Sequence, residues 1–209
     1  MALVDQQAGL VVTAAPGTAS TALREAFLTR PGVTEVPAPG AVRTAGVDAK
    51  HGTVTELVAA GLLPGDHGLR VVTTTRNPFD FYVAEHERTR TRWVEELRDP
   101  DSWVHVTPGM VDRIVDAVTH DFDAWLTLVI PDPAVPRRIN PGHVDEADVV
   151  LRMEHLETDL RDGLGLDLAV PPTNVTDRDR AWWTSYSPES RRLVERAHAA
   201  DLERFGYRF

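Results

Sequence analysis

Cysteine is absent from this sequence of 209 residues, and lysine occurs only once, at Lys50. Without cysteine the chain has no disulfide framework and no thiolate metal site. No apolar run approaches the roughly 18 residues that a membrane-spanning helix needs. The N-terminal residues have neither the basic segment nor the long apolar stretch of a signal peptide. The sequence therefore predicts a cytoplasmic protein that does not associate with a membrane.

Positive charge is also scarce, because 22 basic residues face 32 acidic residues and the formal net charge is −10. This balance argues against binding to nucleic acid, so that any anion site has to be built locally. Hydrophobic residues make up 42% of the chain, which is enough for the core of a single domain over residues 1–209. The other 21 basic residues are arginines, which reflects either genomic bias or a special role for the one lysine.

The most informative stretch runs from Leu10 to Phe27. An apolar run typical of a buried parallel strand is followed by a turn of small residues and then by helical spacing of apolar side chains. The turn consists of Pro16, Gly17, Thr18, Ala19, Ser20 and Thr21. A helix N-terminus exposes unpaired N–H groups and the positive end of the helix dipole, so this turn favours an anion-binding loop. The alternative is an ordinary strand-to-helix turn with a capping Ser or Thr.

A second buried strand, Leu69–Thr75, ends at Arg76-Asn77-Pro78. Asn77 is pushed away from helical geometry by Pro78, which then suits the first turn of a following helix. Arg76 is thus expected at the carboxyl end of a strand, the edge where open α/β sheets bind ligands. Its planar, permanently charged guanidinium suits a terminal phosphate, and the alternative is a salt bridge to Asp80.

Lysine is also missing after the turn at Pro16–Thr21, so the ATPase pattern G-x-x-x-x-G-K-[ST] is absent and magnesium-dependent ATP hydrolysis is disfavoured. Further along, the patterns predict a helix from Phe79 to Arg98, helical structure over Pro108–Ile130 and a strand over Asp148–Met153. A helix from Glu154 to Leu164 follows, and Ser187 starts a last helix that runs to about Phe205.

These segments follow one another in an order that resembles the sulfotransferase family, which uses 3′-phosphoadenosine 5′-phosphosulfate (PAPS). Pro16–Thr21 lies where the family has its 5′-phosphosulfate loop, and Arg76-Asn77-Pro78-Phe79-Asp80 is similar to its 3′-phosphate motif. The segment KHGTV at residues 50–54 is similar to the histidine segment of carbohydrate-type members. Residues 152–160 and 201–207 are similar to the family's late strand–helix unit and its C-terminal ending. No single motif is specific, but their order and spacing are.

The resemblance implies a three-layer α/β fold with a parallel central sheet of about four or five strands flanked by helices. It also implies that the chain transfers a sulfo group from PAPS, as co-substrate, to a hydroxyl of a small-molecule or sugar-like acceptor by in-line displacement. One alternative is a non-catalytic or repurposed protein of this fold with a degraded donor site. Another is a group-transfer enzyme whose donor lacks a 3′-phosphate. The sequence identifies neither the acceptor nor the oligomeric state.

Two positions depart from the family pattern. Gly17 stands where the family has a loop lysine or arginine that contacts the bridging oxygen of the donor. Ala84 stands where the family has a serine that contacts the 3′-phosphate. Loss of a preorganised donor to a developing oxyanion typically costs ~10²–10³ in rate, so an enzyme with Gly17 needs a cation from elsewhere.

Four further side chains are candidates for the site. His51 is expected to take the proton from the acceptor hydroxyl, because an imidazole titrates near neutral pH. Lys50 is expected to supply the missing cation, since a flexible ammonium reaches further than the side chains of the loop. Arg178 and Arg180 are expected to close over the nucleotide. The alternatives are a structural histidine, an exposed lysine and a solvated run of charges.

A superficial cluster of metal-ligating residue types occurs at His120, Asp121 and Asp123. The helical pattern places these residues on a polar face, where solvated side chains are the ordinary finding. No metal site is therefore predicted.

Overall fold

The computed structural model describes residues 2–38, 50–176 and 181–209. Contacts between residues divide the chain into two compact units. The first unit consists of Met1–Arg76 and Ile139–Asn174, and the second consists of Asn77–Arg138 and Val175–Phe209. A single domain over residues 1–209 stays a prediction.

The strands are β1 (Ala2–Asp5), β2 (Leu10–Val12), β3 (Val33–Val36), β4 (Arg70–Thr75) and β5 (Val149–Arg152). The α-helices are α1 (Ser20–Leu28), α2 (Val54–Ala59), α3 (Pro78–Arg90), α4 (Arg92–Glu96), α5 (Trp103–Val106), α6 (Met110–Thr119), α7 (Phe122–Val129), α8 (Pro141–Glu146), α9 (Leu156–Leu164), α10 (Pro188–Ala197) and α11 (Ala199–Phe205). Short 3-10 helices cover Met153–His155 and Trp182–Ser185. The strands and α1, α2, α8 and α9 belong to the first unit.

The first unit is organised around one five-stranded sheet with the strand order β3-β1-β2-β4-β5. Strands β2, β4 and β5 are parallel, whereas β1 is antiparallel to both β2 and β3. The α/β class and the number of strands are confirmed, but the prediction of a parallel sheet is wrong because the sheet is mixed. Only residues 6–9 connect β1 to β2. So short a connection permits a hairpin, whereas a parallel pair needs a crossover of about a dozen residues or more.

Alternate residues of the central strands enter two different hydrophobic clusters. Leu10 of β2 packs with Leu23 and Phe27 of α1. Val11, the next residue of the same strand, lies in a second cluster with Leu57 of α2. Strand β2 is therefore buried on both faces, which agrees with its continuous apolar sequence.

Two helical patterns of the sequence are each interrupted in the second unit. The pattern from Phe79 to Arg98 divides into α3 and α4, and the pattern over Pro108–Ile130 contains α6 and α7. Asp121 accounts for the break before α7, because its side chain accepts the N–H of Ala124 at 2.9 Å and caps the new helix.

The start of α3 is fixed by a cap and by an aromatic core. The Asn77 side chain accepts the N–H of Phe79 at 3.1 Å, and Pro78 occupies the first turn, as the Asn-Pro pair predicts. Phe79 is fully buried, and its ring stacks on Trp182 with a centroid distance of 6.0 Å. The second unit therefore begins at a rigid helix N-terminus.

Candidate functional site

The loop between β2 and α1 holds the backbone in the left-handed region at two places. Gly17 has a φ of 75°, which glycine adopts without strain. Ala19 has a φ of 64° and is the N-cap residue of α1. A side chain other than glycine costs roughly 1–2 kcal/mol in this conformation. The turn therefore has a fixed and partly strained shape rather than that of an ordinary cap.

Four consecutive carbonyl groups of this loop each accept a hydrogen bond from a different side chain. The pairs are His51 Nδ1 to Ala14 O at 2.7 Å, Thr18 Oγ1 to Ala15 O at 2.8 Å, Asn140 Nδ2 to Pro16 O at 2.8 Å and Arg76 Nη1 to Gly17 O at 3.0 Å. Three of the four donors come from outside the loop, so its backbone is fixed by other parts of the first unit. The exception is Thr18, which bonds within the loop instead of capping α1.

The backbone N–H groups of the same loop differ from its carbonyl groups in their hydrogen bonding. Among the described residues, the backbone N–H groups of Gly17–Ala22 have no hydrogen-bond acceptor, and α1 has no side-chain cap. Unpaired N–H groups at the start of a helix, combined with the positive end of its dipole, attract anions. The loop thus presents donors, while its carbonyl oxygens are occupied.

Arg76 brings a permanent positive charge to this loop. The residue follows β4 directly and is only 6% exposed. Its Nη1 lies 3.0 Å from the carbonyl oxygen of Gly17. The predicted placement of Arg76 at the end of a strand is observed, and the structure brings its guanidinium to Gly17 of the loop.

Threonines connect the loop to β4. The hydroxyls of Thr18 and Thr74 are 2.5 Å apart, and both residues are fully buried. Thr13 and Thr73 form a second buried hydroxyl pair at 3.0 Å. Hydrogen bonds between two buried hydroxyls satisfy groups that would otherwise be costly to desolvate. These pairs hold the start of the loop on the central strands.

His51 lies just before α2 and is half-buried. Its Nδ1 is bonded to the oxygen of Ala14, which immediately precedes the anion loop. A capping box between Thr53 and Glu56 begins α2. Glu146 of α8 adds a carboxylate that accepts the N–H of Val54 at 2.7 Å. The backbone around His51 is therefore held by several hydrogen bonds.

Lys50 is exposed and directly precedes His51. The proposed role of Lys50 as a substitute cation stays a prediction. Ala84 lies on helix α3 and is 2% exposed. Arg178 and Arg180 lie outside the described residues, which omit 177–180.

His143 and Asn140 were not predicted as site residues. Helix α8 begins at Pro141 and carries His143 to the site. The sequence signal for the start of this helix is the pair Asn140-Pro141, because an Asn-Pro pair also precedes α3. Asn140 donates to the loop oxygen of Pro16, and His143 contacts both Thr13 and the His51 carbonyl.

Residues 2–38, 50–176 and 181–209 contain no group of three or more His, Asp or Glu side chains that could hold a metal ion. In the same residues, every helix is too short or too polar to cross a membrane. No family model, no curated protein and no solved structure matches this chain.

Proposed function

We propose that this chain transfers a sulfo group from PAPS to a hydroxyl of a small-molecule or sugar-like acceptor by in-line displacement. The observation that carries the proposal is the buried Arg76 guanidinium, bonded at 3.0 Å to Gly17 in a loop whose N–H groups lack described acceptors. A fixed cation and oriented N–H donors in one loop suit a phosphosulfate group, whose charge is spread over several oxygens. The order of β2, loop, α1 and β4 supports a sulfotransferase-like fold in three layers.

In this proposal the loop Pro16–Thr21 binds the 5′-phosphosulfate group. The backbone N–H groups from Gly17 onward and the hydroxyls of Ser20 and Thr21 act as donors. Their carbonyl neighbours are already held by side chains, so that little reorganisation is needed when the anion binds.

The reaction requires one bond exchange and one proton transfer. The acceptor oxygen forms a bond to sulfur while the bond between sulfur and the bridging oxygen breaks, and adenosine 3′,5′-bisphosphate leaves. The proton of the acceptor hydroxyl goes to His51, a general base whose help is worth ~10²–10⁴ in rate. Lys50 is the side chain proposed to stabilise the charge that develops on the departing phosphate.

The 3′-phosphate is assigned to Arg76 by its place in the motif. Ala84 stands where the resemblance implies a serine hydroxyl, and the assignment of Arg178 and Arg180 to the nucleotide stays a prediction. With fewer donors than the family pattern has, this chain is expected to bind the 3′-phosphate weakly.

A second candidate is a group-transfer enzyme whose donor lacks a 3′-phosphate. It is favoured by the same contact of Arg76 with Gly17, because a guanidinium at the loop also suits a 5′-phosphate. A third candidate is a non-catalytic protein of this fold, for which Gly17 and Ala84 are the supporting residues.

Calorimetric titration with adenosine 3′,5′-bisphosphate and with ADP separates the three candidates. Micromolar binding of the bisphosphate alone supports sulfo transfer, and equal binding of both supports a donor without a 3′-phosphate. Absence of binding by either nucleotide contradicts both enzymatic proposals. A transfer assay with PAPS and a panel of phenols and sugars then tests the reaction itself.

A further inference from the structure

We propose that His143 is a positioning residue that holds the His51 imidazole in the orientation needed for proton transfer. His143 is 6% exposed and lies on α8, far along the chain from the loop. Its Nε2 is 3.1 Å from the backbone oxygen of His51, and its Nδ1 is 3.2 Å from the hydroxyl of Thr13. One imidazole thus joins the end of β2 to the segment that carries the proposed base. One part of this inference, the role of His51 as the general base, rests on the proposed function.

The acceptors determine where both histidines carry their protons. A carbonyl oxygen only accepts hydrogen bonds, so Nε2 of His143 must carry a hydrogen toward His51 O. By the same argument, Nδ1 of His51 carries a hydrogen toward Ala14 O at 2.7 Å. The lone pair of a neutral His51 ring is then on Nε2, the nitrogen that would accept the proton of an acceptor hydroxyl.

His143 acts on His51 through two linked contacts. It bonds to the backbone of His51 and to the side chain of Thr13, and Thr13 is the residue before Ala14. Ala14 in turn holds the His51 ring. The three hydrogen bonds close a ring of contacts between residues 13–14 and residue 51, so that loss of His143 removes two of these three bonds.

Burial keeps His143 in the neutral form that this arrangement uses. Desolvation lowers the pKa of His143, and the electrostatic interaction with the neighbouring His51 lowers it further. The bond to the His51 carbonyl and the carboxylates of Glu146 and Glu56 act in the opposite direction but do not reverse the shift. The Nδ1 atom of His143 lies 3.2 Å from the Thr13 hydroxyl, which itself donates to Thr73.

Two substitutions at His143 separate positioning from simple loss of packing. His143→Gln places an amide N–H near the position of Nε2 and keeps the donor to His51 O, whereas His143→Leu removes it. We expect kcat to fall by about 10–100-fold in His143→Leu with KM little changed, because a misoriented base slows the chemical step. His143→Gln should restore kcat to within about threefold of wild type, since one hydrogen bond is kept.

The matched control is His86→Leu, which removes another buried imidazole from helix α3 of the second unit. His86 is 4% exposed, and burial lowers its pKa as well. This variant should lose stability but keep the kcat of the wild type. Equal losses of kcat in His86→Leu and His143→Leu would overturn the inference.

Long-range ¹H–¹⁵N NMR of the histidine rings tests the same inference without any activity. The wild type should show His51 protonated at Nδ1 and His143 protonated at Nε2, with His51→Gln and His143→Gln spectra providing the assignments. In His143→Leu the His51 signal should become a mixture of tautomers, and in His86→Leu it should not change. A wild-type His51 protonated at Nε2, or a His51 signal unaffected by His143→Leu, overturns the inference. If the wild type transfers no sulfo group, the proposed function fails while the NMR result still decides the role of His143.

Discussion

Replacement of Arg76 by alanine is the most direct test of the anion site. Arg76 is 6% exposed, and its Nη1 donates to Gly17 O at 3.0 Å. In the nucleotide complex the same guanidinium would make a charge-assisted contact with a phosphate, and such contacts are worth ~1.5–3 kcal/mol. Since 1.4 kcal/mol corresponds to a factor of ten, Arg76→Ala should weaken nucleotide binding by about 10–150-fold.

The assay is calorimetric titration of wild type and Arg76→Ala with adenosine 3′,5′-bisphosphate and ADP. If Arg76 binds the 3′-phosphate, bisphosphate affinity falls by the full factor and ADP affinity changes much less. Equal losses for both nucleotides assign Arg76 to the phosphate at the loop, which supports the second candidate function. The comparison of two ligands thus locates the guanidinium relative to the nucleotide.

Arg98→Ala is the control, because Arg98 is an exposed arginine paired with Glu95 in the second unit. It lowers the net positive charge by the same amount without touching the loop. Thermal unfolding of both variants checks that they fold. A folded Arg76→Ala protein that binds both nucleotides as tightly as Arg98→Ala does would refute the assignment of Arg76.

Three further predictions follow from the same residues. Lys50→Ala should lower turnover by about two orders of magnitude if Lys50 is the substitute cation. Adding Gly17→Lys to this variant should restore activity only in part, because position 17 has a φ of 75°. Full activity of Lys50→Ala would exclude Lys50 from this role. Ala19→Gly should raise the free energy of unfolding, measured by urea titration, by about 0.5–1 kcal/mol, because relief of left-handed strain exceeds the entropy cost of glycine. A lower free energy of unfolding in this variant would contradict the prediction. Burial lowers the pKa of both His86 and His143 below 6.5, so the unfolded state binds more protons. Stability should therefore be full above about pH 6.5 and fall as the pH drops below it, and His86→Leu should reduce that loss in urea titrations at pH 7.5 and 5.5.

Local signals in the sequence were sufficient for the elements that carry the loop. The apolar run at Leu10, the small residues at Pro16–Thr21 and the helical spacing after them correspond to β2, the loop and α1. The strand that ends before Arg76 was predicted for the same reason, since β-branched residues and the Asn-Pro pair act over a few residues. A residue at the end of a strand is positioned by that strand, so the prediction of the strand was sufficient to predict the position of Arg76.

Only the tertiary structure decided the direction of β1, the sheet order and the partners of the loop carbonyls. Strand direction depends on how chain connections cross the sheet, and a pattern of period two is the same for parallel and antiparallel strands. Asn140 and His143 reach the loop from 124 and 130 positions away from Pro16 and Thr13. Hydrogen bonds across such distances leave no periodic trace in a single sequence, because each depends on one pair of atoms that folding brings together.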